Sequence, residues 1–183
     1  MKILYPLIMK RNANNAIYFN KQHTQPATSI YNLSVELNNG RTENLSSFKG
    51  KKLMIVNTAS DCGYTNQYEN LEKLYKQYNV SIIGFPANDF NEQEKGNDES
   101  ITRFCKVNYG VTFPLAKKSV VIKKPGQNKI FEWLSNEHEN GWLNKPPVWN
   151  FTKYLINEEG ILTHYFEPGI DPLSKEIINA IQS

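Results

Sequence analysis

Leu53-Met54-Ile55-Val56-Asn57-Thr58-Ala59-Ser60-Asp61, running on into Cys62-Gly63-Tyr64-Thr65, is the stretch whose reading decides the fold. Lys52 to Asn57 is a largely continuous apolar run, the pattern of a strand in a sheet covered on both faces. Ser60 to Thr65 is small and polar, a composition that suits a tight turn better than a core. Beyond it Tyr68, Leu71, Leu74, Tyr75 and Tyr78 recur at helical spacing and predict a helix over about residues 66–78. Cys62 therefore stands where a buried strand becomes a turn and then a helix. The unpaired N–H groups of a first helical turn favour thiolate over thiol, and Gly63 allows close approach to the sulfur. A free cysteine is also commonly just a small core residue, and that reading stands beside the reactive one.

Working outward, Ser29 to Leu37 alternates loosely, Asn38-Asn39-Gly40 is a turn signal, and Arg41 to Leu45 returns as a second short strand, predicting an N-terminal β-hairpin. Val80 to Phe85 is the next strand, ended by Pro86. Asn97 or Asp98 caps a helix carrying Ile101, Phe104, Cys105 and Tyr109 and stopped by Gly110. Val120 to Ile122 is short and strand-like, and Gln127 to Ser135 is helical. Phe151 to Ile156 and Ile161 to Tyr165 flank a turn at residues 157–160, and Leu173 to Ile181 closes the chain as a helix. This order predicts an α/β sandwich whose first crossover is parallel and right-handed.

The chain has 183 residues, enough for one domain with a real core. We read residues 1–28 as a flexible N-terminal extension, Asn- and Gln-rich over residues 12–26, and residues 29–183 as the domain. The balance of 21 Lys and Arg against 18 Asp and Glu gives a formal charge of +3 and no strong field that would call for nucleic acid or an anionic membrane. The apolar stretch in residues 1–10 is too short to span a bilayer, so no stable membrane association is expected. It also lacks the length and cleavage site of a signal peptide, which favours the cytoplasm. The acid-poor, basic leader before Glu36 keeps organelle targeting or export open as the alternative. Two cysteines do not make a disulfide scaffold. His23, His138 and His164 are scattered without metal-ligand spacing, and no Gly-rich phosphate loop appears, so neither metal nor cofactor is expected.

The run Val56 to Thr65 resembles the peroxidatic loop of glutathione peroxidases. Two further blocks agree with that family in order: residues 84–94, Gly-Phe-Pro-Ala-Asn-Asp-Phe-Asn-Glu-Gln-Glu, and residues 149–155, Trp-Asn-Phe-Thr-Lys-Tyr-Leu. The resemblance spans about Ser29 to Ile181. It implies a thioredoxin-like fold, a central mixed sheet flanked by helices, and a catalytic tetrad on Cys62, Gln93, Trp149 and Asn150. The residue types suit the chemistry. A thiolate attacking a peroxide oxygen while the departing oxygen gathers charge is served by donors that do not themselves ionise, and Gln93, Trp149 and Asn150 are neutral donors. The family pattern has a cysteine at the place of Ala87 and a glutamine at that of Asp89. Loss of the former spares the tetrad, whereas an inward-pointing Asp89 would oppose thiolate formation. Cysteine in place of selenocysteine at position 62 implies a slower, thiol-based enzyme.

Cys105, between Phe104 and Lys106 on its helix, reads from the residues alone either as core or as a functional thiol. Its block resembles the resolving-cysteine segment of non-selenium, thioredoxin-dependent members. The resemblance then implies that Cys62 reduces hydrogen peroxide and organic or lipid hydroperoxides, that its sulfenic acid condenses with Cys105, and that thioredoxin reopens the disulfide. Glutathione is the alternative reductant, and a peroxide sensor passing its oxidation to a partner protein the non-enzymatic alternative. A Cys-x-x-Cys disulfide exchanger is excluded by Thr65. The loop at residues 139–147 is too short for the subunit-contact insertion of tetrameric relatives, so a monomer is expected.

Overall fold

The computed structural model describes residues 15–183. Its centre is β4 (Lys52–Thr58), in which all seven residues are buried, as the continuous apolar run requires. β5 (Val80–Pro86) pairs with it in parallel, Lys52 opposite Val80 through Thr58 opposite Pro86, and α1 (Gln67–Gln77) makes the crossover. On the other side of β4 lies β6 (Lys153–Ile156), antiparallel, followed by β7 (Leu162–Phe166). At the outer edge is β1 (Ile17–Phe19), and the mixed sheet reads β1-β7-β6-β4-β5. β2 (Ser34–Glu36) and β3 (Thr42–Asn44) form the separate hairpin, turned by Gly40 at φ +83°.

Alternation along the strands divides the core in two. Leu53, Ile55, Ile83, Phe85, Tyr154 and Ile156 face one layer, built from the hairpin and from α3 (Lys129–Leu134) with Phe131, Trp133 and Leu134. Met54, Val56, Ile82 and Leu155 face the other, built from α1, α2 (Asp98–Tyr109) and α5 (Lys175–Gln182). α4 (Glu137–Asn140) follows α3 as a single turn. The predicted caps are present: the Asn97 side chain accepts from the Ser100 N–H, and Gly110 ends α2 at φ 63°.

Three expectations differ from the structure. Residues 29–33 are not strand: Ile30–Asn32 forms a 3-10 turn capped by the Ser29 hydroxyl. Val120 to Ile122 is reduced to one bridge, Val120 opposite Gln127, because the Val121 N–H is taken by the Asp89 carboxylate. The third concerns the N-terminal extension, of which residues 1–14 lie outside the described residues. Ile17–Phe19 pairs antiparallel with Phe166–His164 and covers the row of backbone groups that β7 would otherwise leave open. Tyr18 meets Tyr165 edge to face at 5.7 Å, and Lys145 sits 4.9 Å over the Tyr18 ring. A period-2 signal of three residues is too short to read in a sequence.

Asn20 locks this added strand. Its side chain donates to the Thr24 and Leu162 carbonyls and accepts from the Thr24 N–H at 2.9 Å, in a position 7% exposed. Asn20→Ala orphans these groups and is expected to cost about 1–3 kcal/mol in urea unfolding. An unchanged midpoint would show that the segment is an ornament on the domain.

Candidate active site

β4 delivers the chain into a loop clamped by one hydroxyl. Thr65 Oγ1 donates to the Ala59 carbonyl at 2.9 Å and accepts from the Cys62 N–H at 3.0 Å. The Thr65 N–H closes the turn onto the Cys62 carbonyl. Cys62 is half-buried, and the Tyr64 N–H points at its sulfur, 3.4 Å away. The helix-mouth N–H expected from the sequence is thus supplied by the turn that precedes α1.

Two further loops meet this one. In the first, Asn91 and Glu92 both adopt left-handed backbone at φ 52°, after which Gln93 is turned inward and is 7% exposed. Its carbonyl accepts from the Asp61 N–H at 3.0 Å, stitching this loop to the Cys62 loop. In the second, Phe151 is held at φ 67°, a conformation that costs an aromatic residue about 1–3 kcal/mol and persists only where the surroundings over-determine it. Asn57 supplies that constraint. Its carbonyl accepts from the Phe151 N–H at 2.6 Å, its Nδ2 donates to the Trp149 carbonyl at 3.0 Å, and its Oδ1 accepts from the Thr152 N–H at 3.1 Å.

The strained turn aims Trp149 and Asn150 at the sulfur, where both side chains act to lower the pKa of the thiol. Asn150 Nδ2 also donates to Gln93 Oε1 at 2.9 Å, so Gln93 enters the arrangement as Asn150's acceptor. The Trp149 ring packs on Phe90 at 5.3 Å, which carries the 90–93 loop against the 149–151 turn. The structure therefore brings Cys62, Gln93, Trp149 and Asn150 into one place from three loops. Cys105 lies apart on α2, 1% exposed, in the same apolar layer that Cys62 borders.

The electrostatics correct one expectation. Burial pushes the Cys62 thiol above its ordinary pKa; the Tyr64 N–H, Trp149 and Asn150 pull it down, and Asp61 raises it slightly further. Desolvation outweighs the donors, so at neutral pH the resting thiol is mostly protonated and the donors matter most when charge develops. Asp89 does not face the sulfur. It is ion-paired with Lys124 at 2.5 Å and accepts from the Val121 N–H at 2.7 Å, which spends its charge on the loop behind the site. Ala87 is fully buried in the core, where a methyl group suffices. Cys105 is pushed up to about 11, chiefly by burial. The buried Tyr68 hydroxyl lies near enough to influence Cys105 and Thr58, yet makes no hydrogen bond of good geometry to either.

Sequence reasoning missed Asn57, Thr65 and the backbone of Phe151. The available signal was a polar Asn-Thr pair ending an otherwise apolar strand, which has no reason to be there unless its side chains are used. Among the described residues no group of three or more His, Cys, Asp or Glu gathers to hold a metal.

A thioredoxin-like α/β sheet with a half-buried thiol at the end of its central strand defines a thiol-based oxidoreductase. The family model for glutathione peroxidase matches residues 30–135. A Staphylococcus epidermidis protein described as glutathione peroxidase homolog BsaA is 45% identical over 79% of this chain and 92% of its own. The glutathione peroxidase-like peroxiredoxin 2 of Saccharomyces cerevisiae is 39% identical over 80% and 92%. Among solved structures, Trgpx in apo form superposes with a TM-score of 0.64 at 32% identity, covering 86% of this chain and 97% of its own. The chain belongs to the glutathione peroxidase family, and it is a peroxidase.

Removing a donor from the sulfur should slow its reaction and raise its pKa together. Trp149→Phe and Asn150→Ala are each expected to lower the rate of Cys62 oxidation by hydrogen peroxide about 100-fold and to shift its rise with pH further alkaline. Stopped-flow kinetics across pH would read both changes; a slower rate with an unmoved pH profile would count against donation to the sulfur. Asn57→Ala, which removes support for the strained turn, is expected to lower the same rate about tenfold without touching the sulfur.

Proposed function

We propose that Cys62 is the peroxidatic thiol and that Gln93, Trp149 and Asn150 complete its reaction centre. The observation that carries this reading is the convergence on one sulfur of the Tyr64 N–H and the Trp149 and Asn150 side chains. The Cys62 thiolate attacks the terminal oxygen of a hydroperoxide, the S–O bond forms as the O–O bond breaks, and the departing alkoxide or hydroxide takes up the proton the Cys62 thiol lost on ionising. Cys62 is left as a sulfenic acid. Neutral donors serve both ends of this step, because they hold the sulfur's charge without quenching its nucleophilicity by protonation.

Cys105 is then the resolving thiol. In the folded helix it is buried and held protonated, so it stays unreactive until α2 opens. Because Cys105 is buried in α2 and a disulfide needs Cα atoms within about 7 Å in a suitable orientation, local unwinding of α2 and movement of the Gln93 loop belong to the cycle. Opening the C-terminal turn of α2 breaks the bonds of the Gly110 and Val111 N–H groups to the Lys106 and Cys105 carbonyls. A dithiol of the thioredoxin type reopens the bridge by exchange, and glutathione is the less favoured reductant. The name of the yeast relative, a glutathione peroxidase-like peroxiredoxin, agrees with a cysteine-based cycle. The 139–147 loop supports a monomer: the Asn140 side chain binds it tightly to itself, bonding the Trp133 and Leu143 carbonyls and the Trp142 and Leu143 N–H groups.

Peroxide-dependent NADPH oxidation, coupled through thioredoxin and its reductase and in parallel through glutathione, tests the cycle. Cys62→Ser is expected to abolish both signals, and Cys105→Ser to lose turnover with thioredoxin selectively. Peptide mapping of the oxidised protein should find the Cys62–Cys105 bridge; its absence would remove Cys105 from the scheme.

A further inference from the structure

Glu94 is a buried acid for which the scheme so far has no use. It follows Gln93 directly, is 1% exposed, and accepts from the Ser60 hydroxyl at 3.0 Å, so its carboxylate sits between the Cys62 loop and α2. Its own N–H is tied to Asn88 Oδ1 at 2.9 Å, which fixes the backbone beneath it. A cavity of about 310 Å³ opens here, and Ser60, Gln93, Glu94, Ile101 and Phe104 line it. Ile101 and Phe104 belong to the helix that carries Cys105. This space therefore joins the segment of one cysteine to the segment of the other, with one carboxylate set in its wall.

We propose that Glu94 is the proton acceptor for Cys105 when the disulfide forms, a role that rests on Cys105 being the resolving thiol. As α2 opens into the cavity, the Cys105 S–H gives its proton to the Glu94 carboxylate. The sulfur attacks the Cys62 sulfenic acid, the S–S bond forms, the S–O bond breaks, and hydroxide leaves. The proton on Glu94 passes to that hydroxide and water is released. The Cys105 sulfur is oxidised, the Cys62 sulfur is reduced, and no other reagent enters.

Two electrostatic facts agree with this geometry. While α2 is still closed, Cys105, with its pKa at about 11, is ionised in roughly one molecule in ten thousand at pH 7, so its proton has to leave as the helix opens and a base in the cavity wall can take it. Burial brings Glu94 up to about 7, where a base serves best at neutral pH. Ser60 and the more distant Lys118 charge pull Glu94 down against that burial. The Lys118 ammonium is spent on the Glu94 and Gly96 carbonyls and the Lys118 backbone N–H on the Asp98 carboxylate, so among the described residues no ion pair locks the Glu94 carboxylate. From α1 and α2, Tyr68 and Cys105 feel the Glu94 charge; Asp61 lines the same cavity, and Glu92 and Lys95 at its rim pair with each other in solvent.

The test separates the two half-steps in the full-length reduced protein. After mixing with stoichiometric hydrogen peroxide, sulfenic acid is trapped with a dimedone-type probe, and disulfide is measured by mass spectrometry after acid quench. In the wild type, disulfide formation should speed up as pH rises through about 7, because deprotonated Glu94 is the acceptor. Glu94→Gln, nearly isosteric and able to keep the Ser60 contact, should form sulfenic acid yet close the disulfide about 100-fold more slowly and lose the inflection near neutral pH. Glu94→Asp should recover part of the rate and the inflection. Closure in Glu94→Gln at the wild-type rate and pH profile would overturn the proposal. So would an aspartate variant as slow as the glutamine one, since that marks a structural role. A wild type that forms sulfenic acid and never the bridge would fell the resolving role of Cys105 itself, and this proposal with it.

Discussion

Asn57 is the constraint on which the site depends. It sits next to the end of β4, a strand buried on both faces, and it offers its carbonyl, its side-chain amide and its side-chain oxygen to three points of the 149–152 turn. A buried strand cannot shift to accommodate a loop, since slipping by one residue would turn every apolar side chain to the wrong layer. The turn must yield instead, and it does so at Phe151, which takes a left-handed backbone while its ring remains in the core. The strain held there is what keeps Trp149 and Asn150 against the sulfur.

The same burial that makes the scaffold rigid works against the thiol it presents. Taking Cys62 out of water raises its pKa, and three hydrogen-bond donors recover only part of that cost. In the proposed reaction the arrangement suits a group that carries charge during attack and has no need to carry it at rest. This chain's departure from the family pattern at Asp89 fits the same logic: a carboxylate close in sequence to the site is held by Lys124 and the Val121 N–H, both outside it. Neighbourhood in the chain and neighbourhood in the field are different things here.

Periodicity carried most of the fold. β4 was legible as a continuous apolar run, α1 and α2 by apolar residues at helical spacing, and the β6–β7 hairpin by two apolar stretches flanking a turn. Where the signal was shorter it misled. Ile17–Phe19 has only three residues to show and owes its strand to the open edge of β7; Val120 to Ile122 has strand-like residues whose backbone was claimed by Asp89. Such competition between a side chain and a ladder is invisible until both partners are placed.

The sequence by itself determined which residues are candidates: a cysteine after a buried strand, an amide in a polar loop, a tryptophan–asparagine pair, a second cysteine on an amphipathic helix. These follow from local patterns and from the order of three motif blocks. Only the tertiary structure decided that Gln93 meets Asn150, that Asn57 and Phe151 hold the turn, and that Glu94 stands between the Cys62 loop and α2. The physical reason is that these contacts join segments 30 to almost 100 residues apart, with hydrogen bonds whose geometry depends on where a rigid sheet places the ends of its strands.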